Sequence, residues 1–333
     1  MKTAVFLLNW NGRSLLEKFL PKVIEHSRNI ADVYVADNAS SDDSVAFVVT
    51  QFPEVKIIKN KNNLGYAGGY NEALKNVDAD IFVLLNSDVE VTEGWLNTPL
   101  AIFTENTEVA AIQPKILDYK NPAYFEYAGA AGGFIDKYGY PFCRGRVFDT
   151  LEKDHGQYDG STDIFWSSGA CLFVKAVNFL EVGGFDKDYF AHQEEIDLCW
   201  RLQNNGKKIF YCGSSVVYHV GGATLKNSNP KKTYLNFRNS LFTLLKNLPK
   251  SKLLSILFLR MVFDGIAAVR FLIGGNFSHF WAVLSAHFSF YRHFLKIYKK
   301  RVNSTLVNYY HVKSVVFLYF IKQLKHFYEL RKS

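Results

Sequence analysis

The chain has 333 residues and a formal net charge of +8, enough length to bury a large core and a strongly basic balance overall. The charge is divided: residues 1–229 carry 21 Lys/Arg against 29 Asp/Glu, and residues 230–333 carry 18 Lys/Arg against only Asp264 and Glu329. That asymmetry directs the C-terminal part to an anionic surface, and because no nucleic-acid recognition module accompanies the basic charge, nucleic acid is set aside and membrane retained.

In chain order, Ala4–Leu8 reads as an apolar strand that opens a cytosolic domain, its apolar part being too short for a secretory signal. The loop Asn9-Trp10-Asn11-Gly12 leaves it, and Ser14 can cap a helix through about Ser27, with Leu15, Leu16, Phe19, Leu20, Val23 and Ile24 on one face. Asp32–Ala36 is a second strand, ending at Asp37-Asn38-Ala39-Ser40-Ser41-Asp42, which offers several caps for a helix Ser44–Thr50. Val55–Ile58 is a third strand, and a polar loop Asn60–Gly65 opens a helix from about Ala67 to Asn76. The apolar run Ile81–Leu85 then stops abruptly at Asn86-Ser87-Asp88. Strands alternating with helices mean a parallel sheet, so the fold class is α/β. Carboxylates at the ends of its strands, Asp37 and Asp88, stand where such folds open their ligand crevice. Asp88 is placed to hold a hard cation by oxygen, with substrate phosphates as further ligands. The alternative is that Asp88 only starts a turn before a helix near Trp95.

Neither common nucleotide fingerprint is present. The first turn is Asn-Trp-Asn-Gly rather than GxGxxG, the glycines of Gly65-Tyr66-Ala67-Gly68-Gly69 have the wrong spacing, and there is no GxxxxGK[ST]. Beyond Val109–Pro114, another strand, residues 118–163 are rich in Gly, Tyr and Asp and read as a hairpin-bearing insertion over the site. Its aromatics would stack on a ligand or form a satellite core. Ile164–Val174 reads as a strand pair around a small-residue kink containing Trp166, Ser168 and Gly169. Glu194, Glu195 and Asp197 stand at the start of a helix, where its dipole favours anions. Asp197 and Arg201, four apart, can pair along it. Glu194 and Glu195 point roughly 100° apart and cannot serve the same point, which leaves one free to act as a base. Ile209–Cys212 and Val216–Tyr218 are closing strands, followed by His219. Cys143, Cys171, Cys199 and Cys212 show no metal-ligand spacing and read as buried reduced thiols.

From Leu253 the pattern is helical and rich in Phe, Leu and Ile. Phe271–Tyr291 lacks Lys, Arg, Asp and Glu for 21 residues but contains Gly274-Gly275-Asn276, Ser and His, a poor transmembrane helix. Apolar and basic sides on one helix suit the membrane interface. That reading is preferred to a soluble helical subdomain with homo-oligomer contacts, and to a true span. The domain division is then 1–229 and 230–333.

Four stretches in order resemble the family 2 glycosyltransferases, closest to their rhamnosyltransferase-like bacterial branch: Leu8-Asn9-Trp10-Asn11-Gly12, Asp37–Asp42, Asn62–Asn71 and Leu85–Glu90. The resemblance covers roughly residues 3–225 and implies a GT-A fold, a Rossmann-like, mostly parallel sheet flanked by helices. It implies that Asp37 pairs with the nucleotide base and that Asn9, Trp10, Asn11, Asn63, Gly65, Gly68, Asn71 and Ser87 line the nucleotide site. Asp88 becomes the metal-binding carboxylate of a DxD-type motif whose first position is here Asn86, with Mg²⁺ or Mn²⁺ as cofactor. Phe190–Leu202 resembles the family's EDxDLxxR motif, whose second acid deprotonates the acceptor hydroxyl, here Glu195 with Glu in place of Asp. His219 fits HxGG[AS]T, whose His can approach the metal or diphosphate. Trp166, Ser168, Gly169, Glu194, Asp197 and Arg201 would border or support the acceptor. The function implied is an inverting transfer from a dTDP- or UDP-sugar, dTDP-rhamnose among them, to a saccharide on a polyprenyl diphosphate. It would take place at the inner face of the cytoplasmic membrane, during cell-surface polysaccharide assembly. A non-catalytic nucleotide-sugar or saccharide-binding module and a sugar-nucleotide pyrophosphorylase are the competing readings. The second should show a Gly-rich loop after the first strand, which is absent.

Overall fold

The computed structural model describes residues 1–221, 229–302, 304, 306 and 308–330. The Gly222-Ala223-Thr224 part of the HxGG[AS]T stretch lies outside the described residues. The N-terminal half alternates as its apolar runs require: β1 (Thr3–Asn9), α1 (Arg13–Ser27), β2 (Asp32–Asp37), α2 (Ser44–Gln51), β3 (Lys56–Lys59), α3 (Gly65–Leu74) and β4 (Ile81–Asn86). β3, β2, β1 and β4 lie side by side, and all three pairings are parallel. The β1 residues Val5 and Leu7 face Leu16, Leu20 and Val23 of α1 and Val48 of α2. Ala4 and Phe6 point the other way, toward Tyr70 and Leu74 of α3. A strand buried on both faces reads as a continuous apolar run, which is why β1 and β4 show no alternation in sequence.

The sheet is completed by β5 (Val89–Val91) and β6 (Val109–Asp118), with α4 (Asn97–Glu105) between them, and by strands from beyond the insertion. The insertion folds as a separate four-stranded antiparallel sheet of β7 (Gly133–Ile135), β8 (Pro141–Cys143), β9 (Arg146–Val147) and β10 (Thr150–Leu151). Its aromatics close a satellite core: Phe142 and Val147 pack with Val312, Val315 and Tyr319 from the C-terminal region. β11 (Thr162–Ile164) and β12 (Cys171–Lys175) do not pair with each other, contrary to the strand pair expected there. β12 runs antiparallel between β4 and β6, while β11 adds to the edge. α5 (Ala176–Glu181), a 3₁₀ turn at Lys187–Tyr189 and α6 (Glu194–Asn204) follow. The two expected closing strands are one, β13 (Lys208–His219), with an irregularity between Cys212 and Val216. All four cysteines are free and buried.

The C-terminal region contributes α7 (Pro230–Asn247), α8 (Lys250–Ile273), α9 (Phe277–Tyr298) and the short α10 (Val315–Phe320). The uncharged stretch 271–291 is divided between α8 and α9 by a turn at Gly274-Gly275-Asn276, where Gly275 has φ +72°. Among the described residues no helix is long and apolar enough to cross a membrane. α7 is bound to the sheet domain through a buried polar network. Lys246 Nζ donates to Asp186 (2.9 Å) and Asp197 (2.8 Å), and Asn247 donates to Asp197 (2.8 Å).

Candidate active site

Parallel strands aligned in register bring their C-terminal residues to one edge. Asn9 lies opposite Asp37 on β2, and its neighbour Leu8 lies opposite Asn86 on β4. Asn9 is fully buried, and its Nδ2 donates to Asp37 Oδ1 (3.1 Å), Ser40 Oγ (3.1 Å) and Ser44 Oγ (2.8 Å). Asp37 is buried too, and accepts from the Ser40 amide (3.2 Å). Asn11, in left-handed conformation (φ 51°), accepts the Ser41 amide at 2.7 Å. These bonds fix the two loops against each other and leave the Trp10 ring half exposed beside them. Ser87 sits across from Gly12, where an added Cβ would lie 3.9 Å from the Ser87 hydroxyl.

Asp88 follows β4 and is buried with His219 from the end of β13. His219 Nε2 meets Asp88 Oδ1 at 3.1 Å, Asn86 Nδ2 is 3.5 Å from the same nitrogen, and Glu126 Oε1 is 3.3 Å from His219 Nδ1. Burial opposes the imidazolium, but Glu126 and Asp88 outweigh it and push His219 up to about 10. Burial likewise raises the Asp88 carboxyl, and the His219 hydrogen bond and charge reverse this to hold it below its usual value. A carboxylate oxygen and an imidazole nitrogen are ligand types that a divalent cation takes, and Asp88 and His219 would hold one in place of the proton that His219 now carries. Glu126 on the far nitrogen would then orient the ring, as carboxylate partners of metal-bound histidines do. Among the described residues no group of three or more His, Cys, Asp or Glu is arranged to hold a metal. Glu126 was missed in the sequence. A lone glutamate in a Gly/Tyr/Asp-rich insertion carries no local signal, and only folding brings it to His219.

The third group is built on α3 and α6. Gly65 opens α3 at φ +69°, and a Cβ there would lie 2.4 Å from the Phe190 carbonyl oxygen. That carbonyl accepts from the Tyr66 (2.7 Å) and Ala67 (3.3 Å) amides, satisfying the helix N-terminus. Asn63 Oδ1 accepts from Asn38 and the Gly65 amide (3.0 and 2.9 Å). A Cβ at Gly68 would lie 2.7 Å from Leu64 Cβ. Asn71 uses both ends of its amide on the Phe185 backbone (2.7 and 2.9 Å), which makes it a strut. Phe190, His192 and Gln193 all have positive φ, a strained approach to α6 held from α7: Asn239 Nδ2 donates to the carbonyls of Tyr189, Ala191 and His192. Glu194 and Glu195 emerge from this loop, each with an enclosed Oε2 that has no hydrogen-bond partner. Burial, then the Glu195 charge, raises Glu194 well above its ordinary value, and burial pushes half-buried Glu195 up to about 7. Burial raises the Cys143 thiol, Arg146 opposes it, and Glu126 and Glu195 add smaller raising contributions, so both carboxylates lie within electrostatic reach of this thiol.

The remaining expected residues are scaffold. Asp197 is fully buried and held low: burial alone would raise it, but Arg201 and Lys246 prevail. Arg201 donates to Asp197 (2.9 Å) and to the carbonyls of Val182 and Gly184 (2.6 and 2.7 Å). Trp166 is enclosed, 3% exposed, with Nε1 on the Phe134 carbonyl at 2.9 Å, so it supports the insertion and presents no face to an acceptor. Ser168 Oγ donates to the Ala128 carbonyl (2.5 Å). The Gly169 carbonyl accepts from the Tyr66 hydroxyl at 2.7 Å, where a Cβ on Gly169 would collide.

Residues 5–153 match the family model "Glycosyl transferase family 2". Over that stretch, a little under half of the chain, the sequence is similar to glycosyl transferase family 2. This glycosyltransferase is 27% identical over 218 residues to the N-acetylglucosaminyl-diphospho-decaprenol L-rhamnosyltransferase of Mycobacterium tuberculosis, covering 61% of this chain and 71% of that one. It is 30% identical over 158 residues to the rhamnosyltransferase WbbL of Escherichia coli, covering 47% of this chain and 58% of that one. Its fold is similar to the crystal structure of GalNAc-T7 with UDP, GalNAc and Mn²⁺, at a TM-score of 0.59 and 15% identity. That match covers 76% of the glycosyltransferase, which spans about half (49%) of the GalNAc-T7 chain. The sheet is accordingly GT-A-like, with a helical C-terminal region.

Proposed function

We propose that the enzyme transfers a sugar, rhamnose from dTDP-rhamnose being the leading donor, to a saccharide carried on a polyprenyl diphosphate, with inversion at the anomeric carbon. The observation that carries the mechanism is the Glu195 carboxyl at the start of α6, with an unpartnered enclosed oxygen and a pKa pushed up to about 7. A carboxylate so poised accepts the proton of an acceptor hydroxyl as that oxygen attacks the anomeric carbon, help that contributes about 10²–10⁴-fold. Asp37, with the 9–12 loop, Asn63, Gly65, Gly68 and Ser87, holds the nucleoside at the sheet edge. Asp88 and His219 hold Mg²⁺ or Mn²⁺, which when bound supplies positive charge to the departing diphosphate. The rhamnosyltransferase relatives support rhamnose as the sugar, and the mycobacterial one supports a lipid-linked acceptor. Residues 1–229 act as the catalytic unit, and 230–333 brace it from α7 and keep it at the inner face of the cytoplasmic membrane.

The test is donor turnover across UDP-, dTDP- and GDP-sugars with a lipid-linked acceptor, in Mg²⁺ or Mn²⁺ and in chelator. Metal-dependent release of one nucleoside diphosphate, lost in Asp88→Asn, is the expected result. Nucleotide binding without turnover, unchanged in Glu195→Gln, would leave only a binding module.

A further inference from the structure

We infer that the α8–α9 hairpin is a docking face for the surface of an anionic lipid bilayer. Its setting rests on the proposed lipid-linked acceptor, but the face itself is read from packing and charge. On α8, Leu254, Phe258 and Ile266 repeat at multiples of four residues; on α9, Trp281, Phe288 and Leu295 repeat every seven. Each repeat keeps one side of a helix, and all six side chains are 61–79% exposed. Exposed apolar surface on two long adjoining helices exceeds what isolated surface residues produce, and marks an interaction face.

One polar group of the hairpin is turned inward. Arg260 donates to Asp264 (2.8 Å), which also meets the Tyr140 hydroxyl (3.1 Å) and His287 (3.3 Å), joining α8, α9 and the insertion through a buried core. Residues 230–302 contain one acidic residue, Asp264, and it is fully buried. Lys296 and Lys300 reach back to Asp188, and Lys300 also to Asp186. Lys250, Arg270 and Arg292 are exposed on the same two helices, and Lys299 is exposed just past the end of α9. The outward side thus combines an apolar surface, a tryptophan and basic charge with no acidic side chain, the composition of helices that lie in a bilayer interface. A second copy of the chain on the same face, related by a two-fold axis, would set basic charge against basic charge. Charge complementarity selects anionic lipid.

The experiment is co-sedimentation of the full chain with vesicles of phosphatidylcholine alone or with phosphatidylglycerol, in the absence of donor and acceptor. Quenching of tryptophan fluorescence by brominated acyl chains is read in parallel. Binding at least tenfold tighter to the anionic vesicles is expected, with quenching that disappears in Trp281→Phe. The double variant Phe258→Ser/Phe288→Ser should partition at least tenfold less while keeping the wild-type circular dichroism and the wild-type rate on a water-soluble acceptor. Absence of vesicle binding overturns the inference, as does a sedimentation-velocity oligomer that the same double variant dissolves while vesicle binding stays unmoved. A chain that binds vesicles but transfers no sugar overturns the proposed function alone. One that transfers sugar to a soluble acceptor without binding vesicles overturns this inference alone.

Discussion

Replacing Glu195 with glutamine should weaken catalysis and, above neutral pH, stabilise the fold. The carboxyl is raised from 4.5 to about 7, with burial as the leading cause. Below about pH 4.5 it is neutral both folded and unfolded, and its burial then carries no ionisation penalty. As pH rises through the interval up to about 7, the unfolded chain ionises first and the folded state loses relative stability. At about 1.4 kcal/mol per unit, the loss reaches about 3 kcal/mol by pH 8. Glutamine does not ionise, so it escapes this loss and also relieves Glu194, which the Glu195 charge helps to raise. A buried amide N–H without an acceptor costs about 1–3 kcal/mol, so the diagnostic is the pH dependence of the difference and not its absolute size. Urea unfolding of wild type and Glu195→Gln at pH 5 and pH 8 should show the variant gaining about 2–3 kcal/mol relative to wild type between the two pH values. Turnover should fall about 10²–10⁴-fold, and the wild-type rate should climb with pH up to about 7 as the base ionises. A stability difference independent of pH, with undiminished turnover, would refute the assignment of Glu195 as a desolvated base.

Three further outcomes follow from the packing. Asn239→Ala removes the one amide group that binds the carbonyls of Tyr189, Ala191 and His192. It should lower stability by about 1–3 kcal/mol and reduce kcat while leaving the donor KM nearly unchanged, as thermal melts and steady-state kinetics would show. Lys246→Met removes the buried cation that Asp186 and Asp197 share, leaving Asp186 with Lys300 and Asp197 with Arg201. Urea unfolding should report a loss of about 1.5–3 kcal/mol, that of a hydrogen bond to a charged group. Gly65→Ala forces a side chain into φ +69° and against the Phe190 carbonyl. A loss of about 1–3 kcal/mol is expected, with weaker nucleoside diphosphate binding by calorimetry; wild-type affinity would remove Gly65 from the nucleotide site.

Local order was legible in the sequence because its causes are local. Apolar runs that halt at Asn9, Asp37 and Asn86 announce parallel strands whose ends share one edge, and the register places them there. Acidic residues at the start of α6 are legible as well, since the helix dipole and the spacing of Asp197 and Arg201 act within one turn or two. Contacts between distant segments were not. Nothing around Glu126 marks it as the partner of His219, which lies far along the chain. The same holds for the Asn71 amide, spent on Phe185, and for the lone hydrogen bond that commits Trp166 to Phe134. The tail is the plainest case. Its sequence mixes Arg260, Asp264 and His287 with apolar residues on every side, so periodicity could not say which face is buried. Tertiary packing decided it: charges that can pair with one another and with Tyr140 turned inward, and the phenylalanines and leucines without such partners were left outside.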